Sequence, residues 1–489
     1  MKMHFGAVAT VLLALTTAQA QSVRVYTRPT TPPREALDRL NLQVGWQTVL
    51  PTDGTRDGVF SFQMAGKQVL VQTRSGLVVA LDRDSGATLW RARIGKPYES
   101  LQPLGWNAKS VFAAHGSWLF ALDRNTGQVQ WQYPLPDAVA AAPVADDQQI
   151  YLSLTAGQAS VYLLPPESRR ETLPAASSKN FLPQTLEAPA RPSALHKSSS
   201  GTTTGAVGPL SSAIQASRNV ATGPRPIFLR DFRAGTGLEV GALLTPFEVL
   251  WTGAGGSVMV LPRTPDIPLR PYRFPTEGPI SVQPGQWGET AYVASHDGNL
   301  YALDIPTGRL LWRFTGGNPI KQKPIVTNDD VYIAPQGSGL HRLDRATGQE
   351  YWHNAAAVRF LAANPKFVYA ADRSNRLLVL DRARGTQLSA YDGTRDFNVP
   401  LANEQTDRLF LAGENGLLLC LHDRGYEAPV RMKDEEEKQF PAAEKRPGLT
   451  PRESPDEKIP DKPEDKMPDK KGRPDGKAPG RPEGKMEKP

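Results

Sequence analysis

Cysteine is nearly absent from the sequence, in which Cys420 is the single thiol among 489 residues. One thiol excludes an intramolecular disulfide, and oxidising compartments select against stray thiols. Because Cys420 lies in an apolar run that begins at Leu417, we expect it to be a small buried side chain.

The common catalytic motifs are absent as well. The sequence contains no Gly-x-Ser-x-Gly elbow, no His-Glu-x-x-His pair, no Cys-x-x-Cys pair and no Gly-x-x-x-x-Gly-Lys loop. Asp297-Gly298 resembles the start of a calcium loop, but the ligands that would follow are missing. We therefore expect no catalytic residue, no bound metal and no cofactor.

Long apolar runs are also lacking, apart from a short one near the N-terminus. Lys2 precedes an apolar stretch over residues 7–15, and Ala18-Gln19-Ala20 forms a small-residue cleavage site. This pattern predicts a signal peptide over residues 1–20, and the stretch is too short to favour a membrane span. No cysteine lies near the cleavage site, so a lipid anchor on cysteine is not expected. The prediction is an exported protein, periplasmic or secreted.

What the sequence does contain is a phrase that recurs about every 40 residues. It reads Leu-Asp-x-x-Thr/Ser-Gly in most copies and is followed by a tryptophan. The copies are Asp82, Gly86 and Trp90; Asp123, Gly127 and Trp131; Asp304, Gly308 and Trp312; and Asp344, Gly348 and Trp352. A fainter copy ends at Gly385. A fixed period of this size indicates stacked or ringed units.

Each unit has the pattern of four short strands. Apolar residues alternate on both sides of a tight polar turn, as around Gly76, which is typical of a hairpin. The Asp-x-x-Thr-Gly element suits a second hairpin, because Asp and Thr bind nearby N–H groups and Gly takes the left-handed conformation. Four antiparallel strands per unit form the blade of a β-propeller.

Degenerate copies raise the number of units to eight. Pro165, Pro262 and His422 take the Asp position in three further hairpins. The last unit lacks a tryptophan strand, whereas Trp46 lies in a strand with no hairpin before it, so we expect Trp46 to complete the last blade. The predicted fold is all-β: an eight-bladed β-propeller of four-stranded antiparallel blades, with seven blades the less favoured number.

Composition divides the rest of the chain. The segment 165–226 is rich in Ser, Thr, Pro and Ala, and the tail from residue 429 mixes charged residues with Pro, so we expect both to be disordered. The predicted organisation is a signal peptide 1–20, a lead segment 21–41, blades 1–3 plus the closing strand in 42–164, the insertion 165–226 between the third and fourth units, blades 4–8 in 227–428, and the tail 429–489.

The repeat register also identifies a set of equivalent positions eight residues before each Asp position. They fall in the turn between the second and third strands of each unit, and they are Arg74, His115, His296, Gln336, Arg373 and Glu414. In a propeller this turn shares a face with the blade-to-blade connections. We expect a polar, mostly basic ring that faces a partner, although hairpin turns are polar in any case.

The phrase with its preceding hairpin, best seen from Tyr292 to Trp312, resembles the repeat of the pyrroloquinoline quinone (PQQ)-like propeller family. The resemblance implies that Asp, Gly and Trp of each copy, together with Trp46, hold neighbouring blades together. The dehydrogenases of this family use a calcium-bound quinone, an Asp base and, in many members, adjacent cysteines. Adjacent cysteines are impossible here, so the non-catalytic BamB-like branch is the better match, although its members usually carry a lipidation cysteine.

The resemblance therefore implies a non-catalytic scaffold of the cell envelope that binds a protein or peptide through a propeller face and acts as a monomer. The net charge of +7 is spread along the chain, so nucleic acid is not an expected partner. Two alternatives stay open: a PQQ-dependent dehydrogenase-like oxidoreductase and a cell-wall- or carbohydrate-binding propeller.

Overall fold

The structure is a computed structural model that describes residues 29–52, 57–165, 224–265 and 270–434. The predicted signal peptide lies outside these ranges, as do most of the predicted insertion and most of the predicted tail. The described residues contain one α-helix, α1 (Arg34–Arg39), a 3-10 helix at Asp392–Thr394, and thirty-one strands. No helix among them is long and apolar enough to cross a membrane.

The strands form eight antiparallel sheets, termed blades 1 to 8. Blade 1 contains β2 (Val59–Ala65), β3 (Gln68–Thr73), β4 (Leu77–Asp82) and β5 (Thr88–Arg93), and blade 2 contains β6 (Gly105–Trp106), β7 (Ser110–His115), β8 (Trp118–Asp123) and β9 (Val129–Pro134). Blade 3 contains β10 (Val144–Ala145), β11 (Gln149–Ser153), β12 (Gln158–Leu163) and β13 (Ile227–Arg233), and blade 4 contains β14 (Leu243–Leu244), β15 (Glu248–Gly253), β16 (Ser257–Pro262) and β17 (Tyr272–Pro275). Blade 5 contains β18 (Gly285–Trp287), β19 (Thr290–Ala294), β20 (Asn299–Asp304) and β21 (Leu310–Thr315), and blade 6 contains β22 (Ile325–Val326), β23 (Asp330–Ile333), β24 (Leu340–Asp344) and β25 (Glu350–Asn354). Blade 7 contains β26 (Ala357–Ala363), β27 (Phe367–Asp372), β28 (Leu377–Asp381) and β29 (Gln387–Tyr391), and blade 8 contains β30 (Leu409–Ala412), β31 (Leu417–Asp423) and β1 (Leu42–Val49).

Eight hydrophobic clusters hold the blades in a ring, and each cluster joins two consecutive blades. Between blades 1 and 2, for example, Ala80 packs with Val111 and Phe120. Successive strand residues point to opposite sides, and a middle strand of a blade is covered on both sides, so every residue of β3 and β7 is buried. The predicted all-β, eight-bladed propeller is confirmed.

Strand β1 closes the ring, as the sequence predicts. It pairs antiparallel with β31, the last strand of the described residues, and places Trp46 opposite Cys420. Cys420 is buried, and desolvation raises the pKa of its thiol to about 12. The pairing covers edges that the first and last blades would otherwise expose.

Blade 8 departs from the four-stranded pattern. In place of an inner strand it has an isolated bridge between Val399 and Ala412. Blade 7 is also unusual, because Ser389 stands where blades 1, 2, 5, 6 and 8 carry tryptophan. Helix α1 precedes β1, and Leu37 within it and Leu40 directly after it pack in the cluster between these two blades. The helix thus supplies apolar surface where the tryptophan is missing.

The insertion interrupts blade 3, and the prediction that it separates the third and fourth units is wrong. Strand β13 follows the insertion and pairs with β12, so residues 227–233 form the outer strand of blade 3. The sequence does not reveal this, because β13 lacks the tryptophan that marks the outer strand in five other units. The repeat pattern therefore places this strand in the next blade.

The residue predicted to take the Asp position in blade 3, Pro165, is also wrong, by two residues. Leu163 pairs with Gln149 as Asp82 pairs with Gln68, so Leu163 and not Pro165 is the equivalent residue. No turn residue of the repeat marks the register in this unit, which explains the error.

The predicted tail begins too early. Val430 and Met432 pack in the cluster between blades 6 and 7, and Met432 is buried. The N–H of Asn328 donates to the carbonyl of Met432 at 2.8 Å, and the N–H of Asp434 donates to the Asn328 side chain at 2.8 Å. Residues 429–434 therefore belong to the propeller, because Val430 and Met432, two apolar side chains within a charged stretch, pack against the core between blades 6 and 7.

Candidate functional site

The repeated tryptophans join each blade to the next. The indole Nε1 of four tryptophans donates to the carbonyl of the residue after the repeat Asp in the following blade. The pairs are Trp46 with Arg83, Trp90 with Arg124, Trp312 with Arg345 and Trp352 with Arg382, at 2.8, 2.7, 3.3 and 2.8 Å. We term this arrangement the docking contact. It buries a large apolar ring and satisfies the polar group of that ring at the same time.

The repeat glycine is required at the docking contact. Gly86 and Gly127 have φ values of 68° and 72°, which side chains rarely adopt. A Cβ added to Gly86 would lie 2.4 Å from the Trp46 ring, and one added to Gly127 would lie 2.4 Å from the Trp90 ring. The indole therefore packs directly on the glycine backbone. Gly348 and Gly385 have the same relation to Trp312 and Trp352.

Two blades make the docking contact with other residues. In blade 3, Arg230 takes the tryptophan position and donates to the carbonyl of Arg263 in blade 4. In blade 4, Tyr272 takes it, donates to the carbonyl of Ile305, and packs its ring on Gly308. The contact thus requires a flat side chain with a donor at its end more than it requires an indole.

The repeat aspartates shape the turns that carry these glycines. Asp82 accepts hydrogen bonds from the N–H and the hydroxyl of Ser85 at 2.8 and 2.7 Å, and the hydroxyl bond lowers the pKa of the Asp82 carboxyl. Asp123 with Thr126, Asp344 with Thr347 and Asp304 with Thr307 make corresponding bonds. Trp131 is buried and packs with blade 3, including Leu152.

The arginine after the repeat Asp has a role that the sequence analysis missed. Arg124 is buried and donates to the carbonyls of Ala65 at 2.8 Å and Asn107 at 2.7 Å, so it joins blades 1 and 2. Arg382 lies 2.8 Å from Asp330 of the preceding blade. The signal was present, because arginine follows Asp at Arg83, Arg124, Arg345 and Arg382.

The predicted ring positions lie in the turns between second and third strands. The N–H groups of His296 and Gln336 each donate to a carbonyl of the connection that leads into their blade, at Pro279 and Pro319, and both bonds are 2.9 Å. These turns and the blade-to-blade connections therefore share one face, which we term the turn face.

Two contacts join neighbouring turns on this face. Arg74 lies 3.5 Å from the Glu414 carboxylate, across the junction of blades 1 and 8. Arg373 reaches back to the carbonyl of Gly337 at 3.5 Å, beside the exposed Gln336. The positive charge of Arg74 is thus partly neutralised, and the face is not a continuous basic ring.

His115 does not face a partner, and this part of the ring prediction is wrong. Its side chain is fully buried and lies 3.1 Å from Glu99. Desolvation lowers the pKa of His115 although Glu99 opposes the effect, so the imidazole is neutral at pH 7. The connection between blades 1 and 2 covers it, as the bond from Gly116 N–H to Ser100 O at 2.8 Å shows.

A central cavity of about 1060 Å³ is lined by all eight blades. Its charged residues are mainly basic: Lys67, Arg124, Lys321, Lys323, Arg359 and Lys433 stand against Asp146, Asp147 and Glu404. Glutamines near the cavity link neighbouring blades, and the amides of Gln63, Gln102, Gln283 and Gln322 donate to the carbonyls of Leu104, Val139, Ala242 and Val358.

Glu404 joins the C-terminal segment to the cavity wall. Its carboxylate lies 3.3 Å from Lys323 in blade 6 and 3.6 Å from Lys433. Burial alone would raise the pKa of Glu404, but the two lysines outweigh it and lower that pKa below its ordinary value of 4.5.

We expect Glu404→Gln to lower the free energy of unfolding by about 1–3 kcal/mol at neutral pH, because it leaves the two lysines without their partner. Because the pKa of Glu404 is lower in the folded state than in the unfolded state, its ionised carboxylate stabilises the fold at pH values above the unfolded-state pKa. This contribution to the free energy of unfolding is lost as the pH falls below about 4.5. Urea unfolding of both proteins at about pH 7 and pH 3 measures the effect. If the free energies of unfolding of the wild type and the variant differ equally at the two pH values, the assignment of Glu404 as the ionised partner of the two lysines is contradicted.

Consecutive four-stranded blades joined by Asp, Gly and Trp docking contacts define a propeller of the PQQ-like repeat class. Residues 35–167 and 251–425, more than half of the chain, match the family model described as outer membrane protein assembly factor BamB. The chain belongs to this family, and the predicted resemblance is confirmed.

Among solved structures, BamB from Moraxella catarrhalis is similar at a TM-score of 0.53 and 16% identity, over 79% of this chain and 99% of that one. The computationally designed protein Ika8 (13% identity) and the C-terminal WD40 domain of Sif2 (9% identity) each reach a TM-score of 0.49, over 78% of this chain and 99% of theirs. No curated protein matches the sequence.

The residues that line the central cavity do not fit the calcium-bound quinone that the family's dehydrogenases use. A calcium ion takes six to eight oxygen ligands, with carboxylates prominent among them. Of the three cavity carboxylates, Asp146 is paired with Arg263 at 2.7 Å, and Glu404 is held by two lysines. Within the described residues, no group of three or more His, Cys, Asp or Glu side chains is placed to hold a metal.

Proposed function

We propose that this protein is exported and acts as a non-catalytic scaffold, which binds an envelope protein or peptide through its turn face. Membership of the BamB family and the predicted signal peptide support the proposal. In this proposal the docking tryptophans, aspartates and glycines are structural, the protein works as a monomer, and it uses no cofactor and no nucleic acid.

The observation that carries the proposal is the exposure of polar side chains on the turn face. Gln336 and Arg373 are exposed on neighbouring blades, and Arg74 keeps about a third of its side chain, 31%, in solvent. The polar residues of the repeat phrase are instead engaged in the turns that they shape, as Asp123 is with Thr126. Side chains that the fold does not require are available for recognition.

We expect the double substitution Arg74→Glu and Arg373→Glu to weaken partner binding at least about ten-fold, because it reverses two charges on the proposed surface. A photo-crosslinking residue at Gln336 in cell envelopes would identify the partner, and its affinity for each purified variant would then be measured. Arg313→Glu is the matched control, since Arg313 is exposed on the outer strand β21. Equal binding by the double variant would contradict the proposal.

The two alternatives predict other results. A dehydrogenase would gain quinone absorbance and dye-linked alcohol oxidation when the purified protein is incubated with PQQ and calcium, and we expect neither. A cell-wall-binding propeller would sediment with purified peptidoglycan. Either result, without a crosslinked protein at Gln336, would replace the scaffold proposal.

A further inference from the structure

The last described residues, 430–434, run along the face that carries the turns between the first and second strands of the blades. We term it the opposite face, because it lies across the ring from the turn face. Arg431 forms an isolated bridge with Thr406, which precedes β30 of blade 8. Nζ of Lys433 donates at 2.8 Å to the carbonyl of Gln286, in the first strand of blade 5. The segment therefore leads from blade 8 toward blades 6 and 5.

This segment ends beside the central cavity. The cavity reaches the opposite face, because Lys67, between β2 and β3, and Ala108, between β6 and β7, are among its lining residues. Lys433 lines it as well. The Asp434 carboxylate accepts the side-chain N–H of Asn328 at 2.7 Å, which holds the end of the segment at blade 6. The residues that follow Asp434 thus start from a fixed point at the edge of the cavity.

The cavity has an excess of positive charge. Six basic and three acidic residues are among its described lining residues. Two of the acidic residues are already paired, since Asp146 lies 2.7 Å from Arg263, which is not a lining residue, and Glu404 faces two lysines. Asp147 remains against three basic lining residues that make no ion pair in the described part of the chain. These three are Lys67, Lys321 and Arg359.

Arg359 shows what this excess means for a single side chain. It belongs to β26, the first strand of blade 7, and its guanidinium donates to the side-chain oxygen of Asn375 at 3.3 Å, which is a neutral partner. Burial lowers the pKa of Arg359. A partly buried cation with a neutral partner gains from an anion beside it, and a cleft lined by one sign of charge concentrates the opposite sign. The cavity therefore favours an anionic occupant.

The sequence supplies such an anion directly after the described segment. Asp434 is followed by Glu435, Glu436 and Glu437, and no other run of three acidic residues occurs in the sequence. Three extended residues span about 10 Å, so the run can enter the cavity from its edge. A segment tethered at the edge meets the cavity at an effective concentration of about millimolar. The position of the run and its charge both match the cavity.

We propose that residues 435–437 enter the central cavity from the opposite face and pair with basic residues of its wall. The chain then occupies its own cavity, and another anionic ligand binds there only by displacing the acidic run. The proposal concerns the face across the ring from the proposed partner surface, so it does not depend on the proposed function.

Carbodiimide crosslinking of the full chain tests this contact directly, because the reagent joins carboxylates to amines that touch. We expect mass spectrometry to find a bond from residues 435–437 to Lys67 or Lys321. Its yield should not change with protein concentration and should fall in about 1 M salt, where the screening length is about 3 Å. Three later carboxylates of the tail are the control and should not form such bonds. They are Glu453, Asp456 and Glu457.

A fluorescein-labelled peptide with the sequence of residues 434–440 measures whether the cavity is occupied. We expect the full-length triple variant with glutamine at positions 435–437 to bind it at least about ten-fold more tightly than the wild type, because the tethered competitor is lost. Adding Lys67→Glu and Lys321→Glu to this variant should weaken binding at least about ten-fold. The matched control removes the same charges at Glu453, Asp456 and Glu457 and should bind like the wild type. Urea unfolding confirms that each variant folds.

Three results would overturn the proposal. The first is the lack of any crosslink from residues 435–437 to a cavity lysine, or a crosslink yield that rises with protein concentration. The second is equal peptide binding by the wild type and the triple variant. The third is inorganic tripolyphosphate that binds both proteins equally and requires Lys67 and Lys321, which would assign the cavity to a free anion. The crosslink at Gln336 reports on the turn face alone, so the proposed function is tested separately.

Discussion

Asp330→Ala is expected to lower the free energy of unfolding by about 3–5 kcal/mol, because it breaks a buried ion pair and leaves uncompensated charge. Asp330 is fully buried at the start of β23. Its carboxylate lies 2.8 Å from Arg342 in the same blade and 2.8 Å from Arg382 in blade 7, and it accepts the hydroxyl of Tyr332 at 3.0 Å. The substitution leaves two largely buried guanidinium groups without their counter-charge at a junction between blades.

The neighbouring residue supplies a matched control. Asp329 has a 77% exposed side chain that lies 3.7 Å from Arg382, so Asp329→Ala should cost only about 0–1 kcal/mol. Urea unfolding of the two variants, followed by intrinsic fluorescence, gives both values. Equal stabilities would show that the Asp330 carboxylate contributes no more than a surface charge, which would contradict its assigned role.

The blades could be predicted from the sequence because the repeat phrase depends on local physics. Asp82 and Gly86 specify one turn within a few residues, and Trp90 marks the strand that follows, so the pattern needs no tertiary information. Blade 3 shows the limit of this reasoning. There Leu163 and Arg230 stand in the Asp and Trp positions, and the guanidinium makes the docking contact in place of an indole. The interaction is retained, but the residue pattern that signals it is lost.

The candidate site could be predicted only in part. The register places Arg74 and His115 at equivalent turns, yet the first is partly exposed and the second is buried. The difference arises from the connection that folds over His115, whose path depends on Gly95 and on the positive φ of Tyr98. These residues lie outside the repeat, so a comparison of units cannot detect them.

Trp46→Ala is expected to lower the free energy of unfolding by about 3–5 kcal/mol and, in addition, to open the ring. Trp46 is buried, donates to the carbonyl of Arg83 at 2.8 Å and packs on Gly86 and Phe410. These contacts anchor β1, the strand that pairs the N-terminal part of the chain with β31. Val49→Ala, in the same strand at a 63% exposed residue, should change stability little and is the control.

Trp90→Ala separates the two effects of this substitution. Trp90 makes the same docking contact between blades 1 and 2, which the chain also connects, so its loss should cost a similar free energy without freeing a strand. Only Trp46→Ala should detach β1 and expose the edge of β31, which is a template for pairing with another molecule. Light scattering after size-exclusion chromatography should therefore show dimers or larger species for Trp46→Ala alone. Monomers of both variants with equal stabilities would mean that the ring closes without Trp46, through the β1–β31 hydrogen bonds themselves.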